Sequence, residues 1–393
     1  MILQQIYLGC LSQASYLIGD PASGAAAVVD PRRDVDVYLE EAARRGLTIR
    51  HVLLTHFHAD FVSGHLELAR RTGAVIHLGA GGRADYDFVP TREGDVIELG
   101  PQVRIEVLET PGHTPESLSY LVYDLETDAT RPHAVLTGDA LFIGDVGRPD
   151  LLVSVGMTSE QLAGMLYDSL RNKLMPLPDE TIVYPAHGAG SACGKNLSRE
   201  TSASLGSQKR SNWALQPMDK ERFVRELCAN QPHAPGYFAW SADYNRRERP
   251  MLEEVIERSM VAIPLEQALE RQAQGALLLD VREPGEYAQA HLAGSINVGL
   301  SGRYAGWVGT VVPQGVDLIV VAEPGSEHEA LTRLARIGYD TAIGYLEGGP
   351  RALAERPDRV VGHRRVDCAT LAAELASPTP PLVLDVRAPG ELS

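Results

Sequence analysis

Short apolar runs separated by glycine, aspartate and proline turns predict a succession of strands and helices in the first part of the chain. Gln4–Leu8, Ser15–Ile18 and Ala26–Val29 each have the length of one strand. A helical pattern follows at about Asp34–Arg45, and the next apolar run, His51–Leu54, again predicts a buried strand. Such alternation of strands and helices is typical of a layered α/β fold.

The same alternation continues to about residue 230. Further strands are predicted at Ala74–Leu78, Val103–Glu109, Ser119–Tyr123, Ala134–Thr137 and Thr181–Tyr184, with helices at Leu66–Gly73, Ser159–Lys173 and Asp219–Ala229. Asp60 or Ser63 is the predicted N-cap of the first of these helices, on which His65 is predicted to pack. Residues 236–261 are polar and irregular and are predicted to be a connector that also packs on the preceding domain.

Polar residues directly follow several of the predicted strands. Thr55-His56-Phe57-His58-Ala59-Asp60 comes after the His51–Leu54 run, and His113, Asp139 and His187 follow later runs, each beside glycine or proline. Open α/β sheets bind ligands at strand ends, so these side chains are expected to converge. A single buried histidine is usually a core residue, but this repeated context predicts a metal site.

The composition is that of a globular protein with buried cores. Its 393 residues, of which 44% are hydrophobic, predict two or three domains. With 52 acidic and 36 basic residues, the net charge of −16 disfavours nucleic acid and anionic membranes as partners. Four widely spaced cysteines favour a reducing compartment. Because the sequence has neither an apolar stretch of about 18 residues nor a signal-peptide pattern, we expect a cytoplasmic enzyme that does not enter a membrane.

The order His-x-His-x-Asp, followed by His113, Asp139 and His187, resembles the metallo-β-lactamase fold. The resemblance implies an α/β fold class, with an αββα sandwich over residues 1–235 and the metal loops on one edge of two packed sheets. Two-metal hydrolases of this fold, such as glyoxalase II, have a histidine after the aspartate as a ligand of the second metal. Here Phe61 stands at that position, has no lone pair to donate, and is expected to exclude a second ion.

A single metal would then be bound by His56, His113 and Asp139. Two imidazoles and one carboxylate form the facial triad of non-haem Fe(II) oxygenases, although zinc accepts the same donors. With Gly147-Arg148-Pro149-Asp150, these motifs resemble persulfide dioxygenases, which implies one Fe(II) per chain on those three residues. The remaining residues of the predicted site are expected to orient ligands and bound water: His58, Asp60 and His187.

Gly188-Ala-Gly-Ser-Ala-Cys193-Gly-Lys-Asn resembles a loop of persulfide dioxygenases that are fused to rhodanese domains. The cation of Lys195 would lower the pKa of the Cys193 thiol and favour a thiolate that holds a persulfide sulfur. The alternative is that Cys193 is a small residue that only packs in the loop. Arg148 would either bind a substrate carboxylate or phosphate or brace the Asp139 loop through Asp150.

A second domain is expected over residues 262–356. Leu277-Leu-Leu-Asp280-Val-Arg282-Glu-Pro-Gly-Glu286 and His291-Leu-Ala-Gly-Ser-Ile-Asn-Val resemble a rhodanese-like α/β domain with a parallel sheet. An active rhodanese carries its persulfide on a cysteine after the central strand, where this chain has Glu323. Because a carboxylate is not a sulfur nucleophile, the domain is expected to be catalytically silent and to act as a structural or interface module.

The end of the sequence repeats the first of these motifs as Leu382-Val-Leu-Asp385-Val-Arg387-Ala-Pro-Gly390-Glu391. Residues 366–393 are therefore predicted to be the start of a second rhodanese-like domain, with about one helix and one strand. So short a segment cannot form a core of its own, and we expect it to dock on a neighbour or to be mobile.

The resemblances favour a persulfide dioxygenase, which would oxidise a low-molecular-weight persulfide such as glutathione persulfide. In that reaction O2 and water are consumed, and sulfite and a free thiol are formed. A glyoxalase-II-like zinc thioester hydrolase is the alternative enzyme. The silent rhodanese-like part could in addition dock a sulfur carrier without chemistry. Related proteins form dimers or tetramers, so a homo-oligomer is expected, while the thiol carrier stays open.

Overall fold

Two mixed sheets pack face to face in the first part of the chain, in a computed structural model that describes residues 1–151 and 156–387. The first sheet has the order β1 (Ile2–Leu8), β2 (Gln13–Asp20), β3 (Ala25–Val29), β4 (Thr48–Leu53), β5 (Val75–Gly79) and β6 (Val89–Thr91). The second has the order β12 (Ala203–Ser204), β11 (Ile182–Pro185), β10 (Ala134–Gly138), β9 (Leu118–Asp124), β8 (Val103–Glu109) and β7 (Val96–Glu98). Ile18, Val29, Val107 and Tyr120 belong to the core between the sheets.

Strand pairing brings the loops of the predicted site to one edge. β4 pairs in parallel with both β3 and β5, and β10 pairs in parallel with β11. The carboxyl ends of β10 and β11, after which Asp139 and His187 follow, therefore lie side by side. β8 alternates the buried residues Val103, Ile105 and Val107 with partly exposed ones, as expected of a strand with one face on the core.

Helices cover the outer faces of both sheets. They are α1 (Asp36–Arg44), α2 (His65–Thr72), α3 (Ser159–Ser169), continued by a π-helical turn at Leu170–Leu174, α4 (Leu205–Ser211) and α5 (Lys220–Cys228), with a 3-10 turn at Trp213–Leu215. The predicted N-cap of α2 is wrong, because Gly64 precedes the helix and no side chain caps it. The Ser63 hydroxyl donates instead to the carbonyl oxygen of Pro31, at 3.1 Å.

The predicted connector contains two helices, α6 (Phe238–Tyr244) and α7 (Leu252–Ser259). Nδ2 of Asn245 donates to the carbonyl oxygens of His58 and Phe61, each at 2.8 Å. The Arg249 guanidinium lies 2.6 Å from the Glu67 carboxylate, and both side chains are buried. The segment therefore supports the loop that carries the first two histidines, a role that its polar sequence did not reveal.

The second domain is built on a parallel sheet. Its order is β13 (Ala262–Ile263), β18 (Ala342–Leu346), β17 (Leu318–Val321), β14 (Leu277–Asp280) and β16 (Ile296–Asn297), and every pair is parallel. Its helices are α8 (Leu265–Ala273), α9 (Pro284–Gln289), α10 (Tyr304–Val311) and α11 (Glu327–Ala335), with 3-10 turns at Gly349–Glu355 and Pro357–Arg359. A short ladder joins β15 (His291–Leu292) to β19 (Val360–Val361).

The two domains share a buried interface. Arg33 of the first domain is fully buried and pairs with Asp340 of the second through two contacts, at 2.5 and 2.8 Å. Arg336 pairs with Asp34 in the same bidentate way, at 2.8 and 2.7 Å. One apolar cluster also contains Phe142 of the first domain and residues of α10 from the second. Ion pairs and apolar contacts together hold the domains in one arrangement.

The last described segment contains α12 (Cys368–Leu375), in which no residue is buried. The predicted strand near Leu382–Val386 does not form, because these residues have no strand partner among those described, and Leu382 is 98% exposed. The part of the repeat motif at residues 388–391 lies outside the described residues. Among the described residues, no helix combines the length and the apolar character needed to cross a membrane.

Candidate metal centre

Four strand-end loops supply the candidate donors. His56, His58 and Asp60 follow β4, and His113, Asp139 and His187 follow β8, β10 and β11 respectively. Gly138, directly before Asp139, has a φ of 53°, and a Cβ there would lie 2.6 Å from the Thr55 hydroxyl oxygen. Only glycine therefore allows the loop after β10 to approach the loop after β4 so closely.

His56, His113 and Asp139 form the first candidate cluster. One donor atom from each lies within 4.8 Å of the others, and all three residues are buried. Nε2 of His113 is 3.4 Å and Nε2 of His56 is 3.8 Å from Oδ2 of Asp139. These separations suit donors that share one ion rather than donors that bond to each other.

The other ring nitrogens of both histidines are already engaged. Nδ1 of His113 is 2.7 Å from the carbonyl oxygen of Arg148, so it donates, and Nε2 keeps its lone pair. The Thr55 hydroxyl donates to Asp30 at 2.8 Å and must therefore accept from Nδ1 of His56 at 2.9 Å. Hydrogen bonding thus assigns both imidazoles the tautomer in which Nε2 is free to bind a metal.

The donor set fits a divalent cation. Among the described residues, neither carboxylate oxygen of Asp139 has a hydrogen-bond partner, although the side chain is fully buried. A buried carboxylate without a partner is costly, and a cation at this point would remove that cost. Two imidazoles and one carboxylate suit both iron and zinc, so the donors alone leave the metal open.

His58, Asp60 and His187 form a second cluster within the same 4.8 Å limit. Nε2 of His187 lies 3.5 Å from Oδ2 of Asp60 and 3.5 Å from Oδ1 of Asp139. The two oxygens of Asp139 therefore face different clusters. Phe61 packs against His58 with ring centroids 4.4 Å apart, but it does not separate these three donors from one another.

His58 has an acidic neighbour of its own. Its Nε2 lies 3.1 Å from Oδ1 of Asp30, an ion-pair contact whose angle is too poor for a hydrogen bond. Burial lowers the pKa of His58, but the carboxylates of Asp30, Asp60 and Asp139 together outweigh burial and raise it. By contrast, burial and then the neighbouring imidazoles hold the pKa of His56 well below its usual range. His56 is therefore neutral, as a metal ligand must be.

The prediction that Lys195 activates Cys193 is wrong. The Lys195 ammonium binds carbonyl oxygens at the end of α5, including that of Leu227 at 3.2 Å. Burial, followed by the charges of Asp60 and Asp139, raises the pKa of the Cys193 thiol well above its usual value. Cys193 does reach the site, since its sulfur lies within 4.8 Å of donor atoms of Asp139 and His187. It lies beside the donors, and its raised pKa favours the neutral thiol.

Arg148 braces the loops around the centre, which was the alternative to substrate binding. Its guanidinium makes two contacts of 2.7 Å with Asp150 and donates to the carbonyl oxygen of Ala192 at 3.2 Å. The residue is buried, and its own carbonyl oxygen accepts from His113. With these donors engaged, Arg148 fixes the ligand loop and is not available to a substrate.

Three supporting residues were not found from the sequence: Asp30, Tyr237 and Asn245. Asp30 accepts from the Thr55 backbone and hydroxyl, each at 2.8 Å. It directly follows the Ala26–Val29 run, so the strand-end rule that identified the histidines could have found it. The Tyr237 hydroxyl donates to the carbonyl oxygen of Asp60 at 3.1 Å. Neither Tyr237 nor Asn245 has such a signal, because their contacts depend on the packing of a distant segment.

A cavity of about 120 Å³ extends from Asp60 toward the second domain. Cys10, Ser191 and Tyr237 line it on one side, and residues of α10 line it on the other. The second cluster thus connects to the domain interface.

Comparison with protein families confirms the two-part architecture and the predicted α/β fold. The metallo-beta-lactamase superfamily matches residues 8–187, and the rhodanese-like domain matches residues 264–355. The metallo-beta-lactamase from Staphylococcus aureus subsp. aureus COL superposes with a TM-score of 0.78 at 32% identity, covering 88% of this chain and 98% of that one. Both domains are therefore arranged as in a solved structure.

Two kinds of curated relative match the first domain. The hydroxyacylglutathione hydrolase of Polaromonas sp. (strain JS666 / ATCC BAA-500) is 33% identical over 190 residues, 48% of this chain and 66% of the relative. The mitochondrial persulfide dioxygenase ETHE1 of Bos taurus is 30% identical over 196 residues, 48% of this chain and 68% of the relative. The chain thus spans only about two thirds of the length of these relatives, and their names describe two different reactions.

Proposed function

This chain belongs to the metallo-β-lactamase superfamily, and on that premise we propose that it is a persulfide dioxygenase with one Fe(II) per chain. The substrate is a low-molecular-weight persulfide such as glutathione persulfide, which is oxidised with O2 and water to sulfite and the free thiol. The match to a persulfide dioxygenase and the triad of His56, His113 and Asp139 support this proposal.

The observation that carries the proposal is the environment of His58. Its Nε2 faces Asp30 at 3.1 Å, and the Phe61 ring packs on its face, 4.4 Å away between centroids. With Nε2 facing a carboxylate and a benzyl ring on its face, His58 has only Nδ1 left to offer a second ion. The contrast with His56, whose Nε2 is free, favours a mononuclear centre.

His56, His113 and Asp139 would hold the iron. Fe(II) on two imidazoles and one carboxylate keeps exchangeable positions and supplies the dioxygen chemistry that organic side chains lack. The walls around the donors are apolar, since Phe61 and Phe142 are both fully buried. They exclude bulk water from the reacting sulfur.

Asp60 and His187 are placed to handle a proton. Oδ2 of Asp60 and Nε2 of His187 lie 3.5 Å apart, and Nδ1 of His187 faces the carbonyl oxygen of Ser12 at 3.2 Å. Burial raises the pKa of Asp60, which makes its carboxylate a better base than an exposed one. We assign this pair to receive the proton that the persulfide loses as it binds.

A zinc thioester hydrolase is the second candidate function, and one observation favours it. Oδ1 of Asp139 lies 3.5 Å from Nε2 of His187 while Oδ2 faces His56 and His113, so the carboxylate is placed as a bridge between two ions would be. The match to a hydroxyacylglutathione hydrolase agrees with this alternative. It requires His58, Asp60 and His187 of the second cluster to bind the second ion.

Metal content and oxygen uptake of the full chain separate the two functions. Anaerobic purification should yield one iron per chain, and oxygen uptake should depend on glutathione persulfide. His113→Ala should lose iron and oxygen uptake together, because it removes one of three ligands. His133→Ala, which changes an exposed histidine outside both clusters, should keep both. Two zinc ions per chain, with thioester hydrolysis and no oxygen uptake, would favour the zinc thioester hydrolase over the persulfide dioxygenase.

We propose a cytoplasmic homo-oligomer with no nucleic-acid or membrane partner, and a rhodanese-like domain that does not transfer sulfur. In its loop after β17, the Glu327 carboxylate accepts from the backbone N–H of Gly325 at 2.7 Å. The chain's own carboxylate thus occupies an amide of the loop that would cradle a persulfide anion in an active rhodanese.

A further inference from the structure

The rhodanese-like domain forms one wall of the cavity outside the candidate metal centre. Arg303 and Trp307 line this cavity from the second domain, opposite Cys10 and Asp60 from the first. Trp307 is 60% exposed, which is unusual for so large an aromatic side chain. A domain without a sulfur-carrying cysteine therefore still borders the path to the donors.

Arg303 is a cation without a partner at this position. In the described part of the chain, no carboxylate or carbonyl oxygen accepts a hydrogen bond from its guanidinium, whereas Arg33 and Arg336 are both fully paired. The segment before α10 is nevertheless fixed, because Nη2 of Arg333 donates to the carbonyl oxygen of Gly302 at 2.6 Å. The exposed Arg303 thus stands at the entrance next to a residue that α11 fixes through Arg333.

A second cavity adjoins the first. It has a volume of about 380 Å³ and shares Cys10 and Arg303 with the first cavity. Arg333 and Arg336 also line it, but Arg333 pairs with Glu329 and Arg336 pairs with Asp34. Arg303 is therefore the arginine of this cleft whose charge is available to an anion.

At its inner end, the first cavity is lined by an acidic residue. Asp60 is buried there, and its Oδ1 has no hydrogen-bond partner among the described residues. A ligand with a carboxylate at one end and a sulfur at the other would therefore enter sulfur first. The two cavities together fall within the range of about 300–1,000 Å³ that small-molecule sites occupy.

We propose that the rhodanese-like domain supplies the carboxylate-binding half of the substrate site. Arg303 binds the anionic end of a peptide-sized thiol persulfide, and Trp307 covers its peptide groups while the sulfur points toward the metal cluster. Arg303 is thus a positioning residue rather than a catalytic one. The inference rests on the proposed function for the identity of the reacting group, but binding can be measured without any reaction.

The first test is binding of S-methylglutathione, which has the carboxylates and no reactive sulfur, to the metal-loaded full chain. Trp307, one of three tryptophans, reports occupancy by fluorescence. Arg303→Gln should raise the Kd about tenfold or more, because a charge-assisted hydrogen bond is lost. Arg271→Gln, on an exposed arginine of α8 outside these cavities, is the matched control and should leave the Kd unchanged. An equal Kd for Arg303→Gln and the parent protein overturns the proposal.

A second variant tests the same entrance by filling the cavity rather than by removing a charge. Gly306 lines the cavity on α10, and a Cβ added there would meet nothing within 4 Å. Gly306→Leu should therefore fold, fill the entrance and weaken S-methylglutathione binding at least as much as Arg303→Gln. Unchanged binding would show that the ligand enters elsewhere.

Changes to the ligand show which of its anionic groups binds Arg303. The dimethyl ester of S-methylglutathione, which lacks both carboxylates, should bind the parent protein and Arg303→Gln equally weakly. Preference for coenzyme A over S-methylglutathione, with the same dependence on Arg303, would overturn the carboxylate assignment in favour of a phosphate.

Oxygen uptake separates this inference from the proposed function. With glutathione persulfide, Arg303→Gln should raise KM about tenfold while kcat changes little, as expected of a residue that only positions the substrate. If S-methylglutathione binding depends on Arg303 but no persulfide supports oxygen uptake, the proposed function fails and the inference stands. If oxygen uptake occurs and its KM does not depend on Arg303, the inference fails and the function stands.

Discussion

Asp30 controls the metal-binding tautomer of His56 through one hydroxyl group. Its carboxylate accepts the only hydroxyl proton of Thr55 at 2.8 Å, so the Thr55 oxygen can only accept from Nδ1 of His56. The same carboxylate accepts from the Thr55 backbone N–H and faces His58. One residue thus orients the ligand His56 and also contacts its neighbour His58.

Asp30→Asn should weaken metal binding about tenfold to a hundredfold, the usual effect of losing an outer partner of a ligand. The Asn amide can donate to Thr55, whose proton then turns to Nδ1 of His56 and places the ring proton on Nε2. Asparagine tolerates the φ of 48° at this position, so the backbone should not change. Competition with a chelator measures the metal Kd.

The matched control is Asp36→Asn on the exposed surface of α1, which should leave the metal Kd unchanged. Wild-type metal affinity in Asp30→Asn would mean that the tautomer of His56 is fixed by another group.

At the scale of single elements, β4 and β5 bring two histidines together away from the metal centre. Nδ1 of His51 lies 3.0 Å from Nε2 of His77. Burial, and then the charge of His51, lowers the pKa of His77 to about 4. Burial, and then the charge of Arg50, also lowers the pKa of His51. Burial therefore disfavours protonation of either ring in the folded protein.

His77 should make the fold less stable in acid. Between its ordinary pKa of about 6.5 and its folded value of about 4, the unfolded chain binds a proton that the folded chain does not. Stability is therefore full above about pH 6.5 and is lost as the pH falls toward 4. After allowance for solvent screening, we expect a loss of about 1–2 kcal/mol from this residue.

Urea unfolding of the metal-free protein and of His77→Gln at pH 7.5, 5.5 and 4.5 measures this loss. The histidines of the metal centre contribute equally to both proteins, so the difference between the two pH profiles isolates His77. If the free energy of unfolding falls equally in both proteins as the pH is lowered, His77 is not the cause of the loss.

The whole molecule depends on a buried ionic network between its two domains. The Arg33 guanidinium contacts Asp340 and Glu67, and it also donates to the carbonyl oxygen of Ala335 at 2.8 Å. Tyr244 in the segment between the domains donates to Asp340 at 2.5 Å. Such a network fixes orientation, because every member is satisfied only in one arrangement of the domains.

Arg33→Ala should lower the free energy of unfolding by about 3–5 kcal/mol, because it leaves buried carboxylates without their partner. Arg71→Ala removes a half-exposed arginine that pairs with Asp36 and Glu253 on the surface. That control should cost about 1 kcal/mol or less. Denaturant titration measures both variants, and similar values for the two would show that the network adds little.

The layered α/β fold and the donors of the centre follow from the sequence, and for one physical reason. Strands of one buried sheet need continuous apolar runs, and parallel strands end at the same edge, so polar residues after these runs must meet. The six candidate donors could be grouped on that ground, whereas the choice of His56, His113 and Asp139 as ligands rests on the resemblance. The same rule, applied to the run before Asp30, would have added the residue that orients them.

The way in which distant segments complete the site depends on tertiary packing, which local sequence patterns do not report. Lys195 is two residues from Cys193 in sequence, yet its long side chain reaches the carbonyl oxygens at the end of α5. Arg303 lies more than a hundred residues after the last candidate donor, and no local pattern marks it as part of the entrance. Sequence patterns report which faces are buried, whereas contacts between domains depend on the complementary shapes and charges of two folded surfaces.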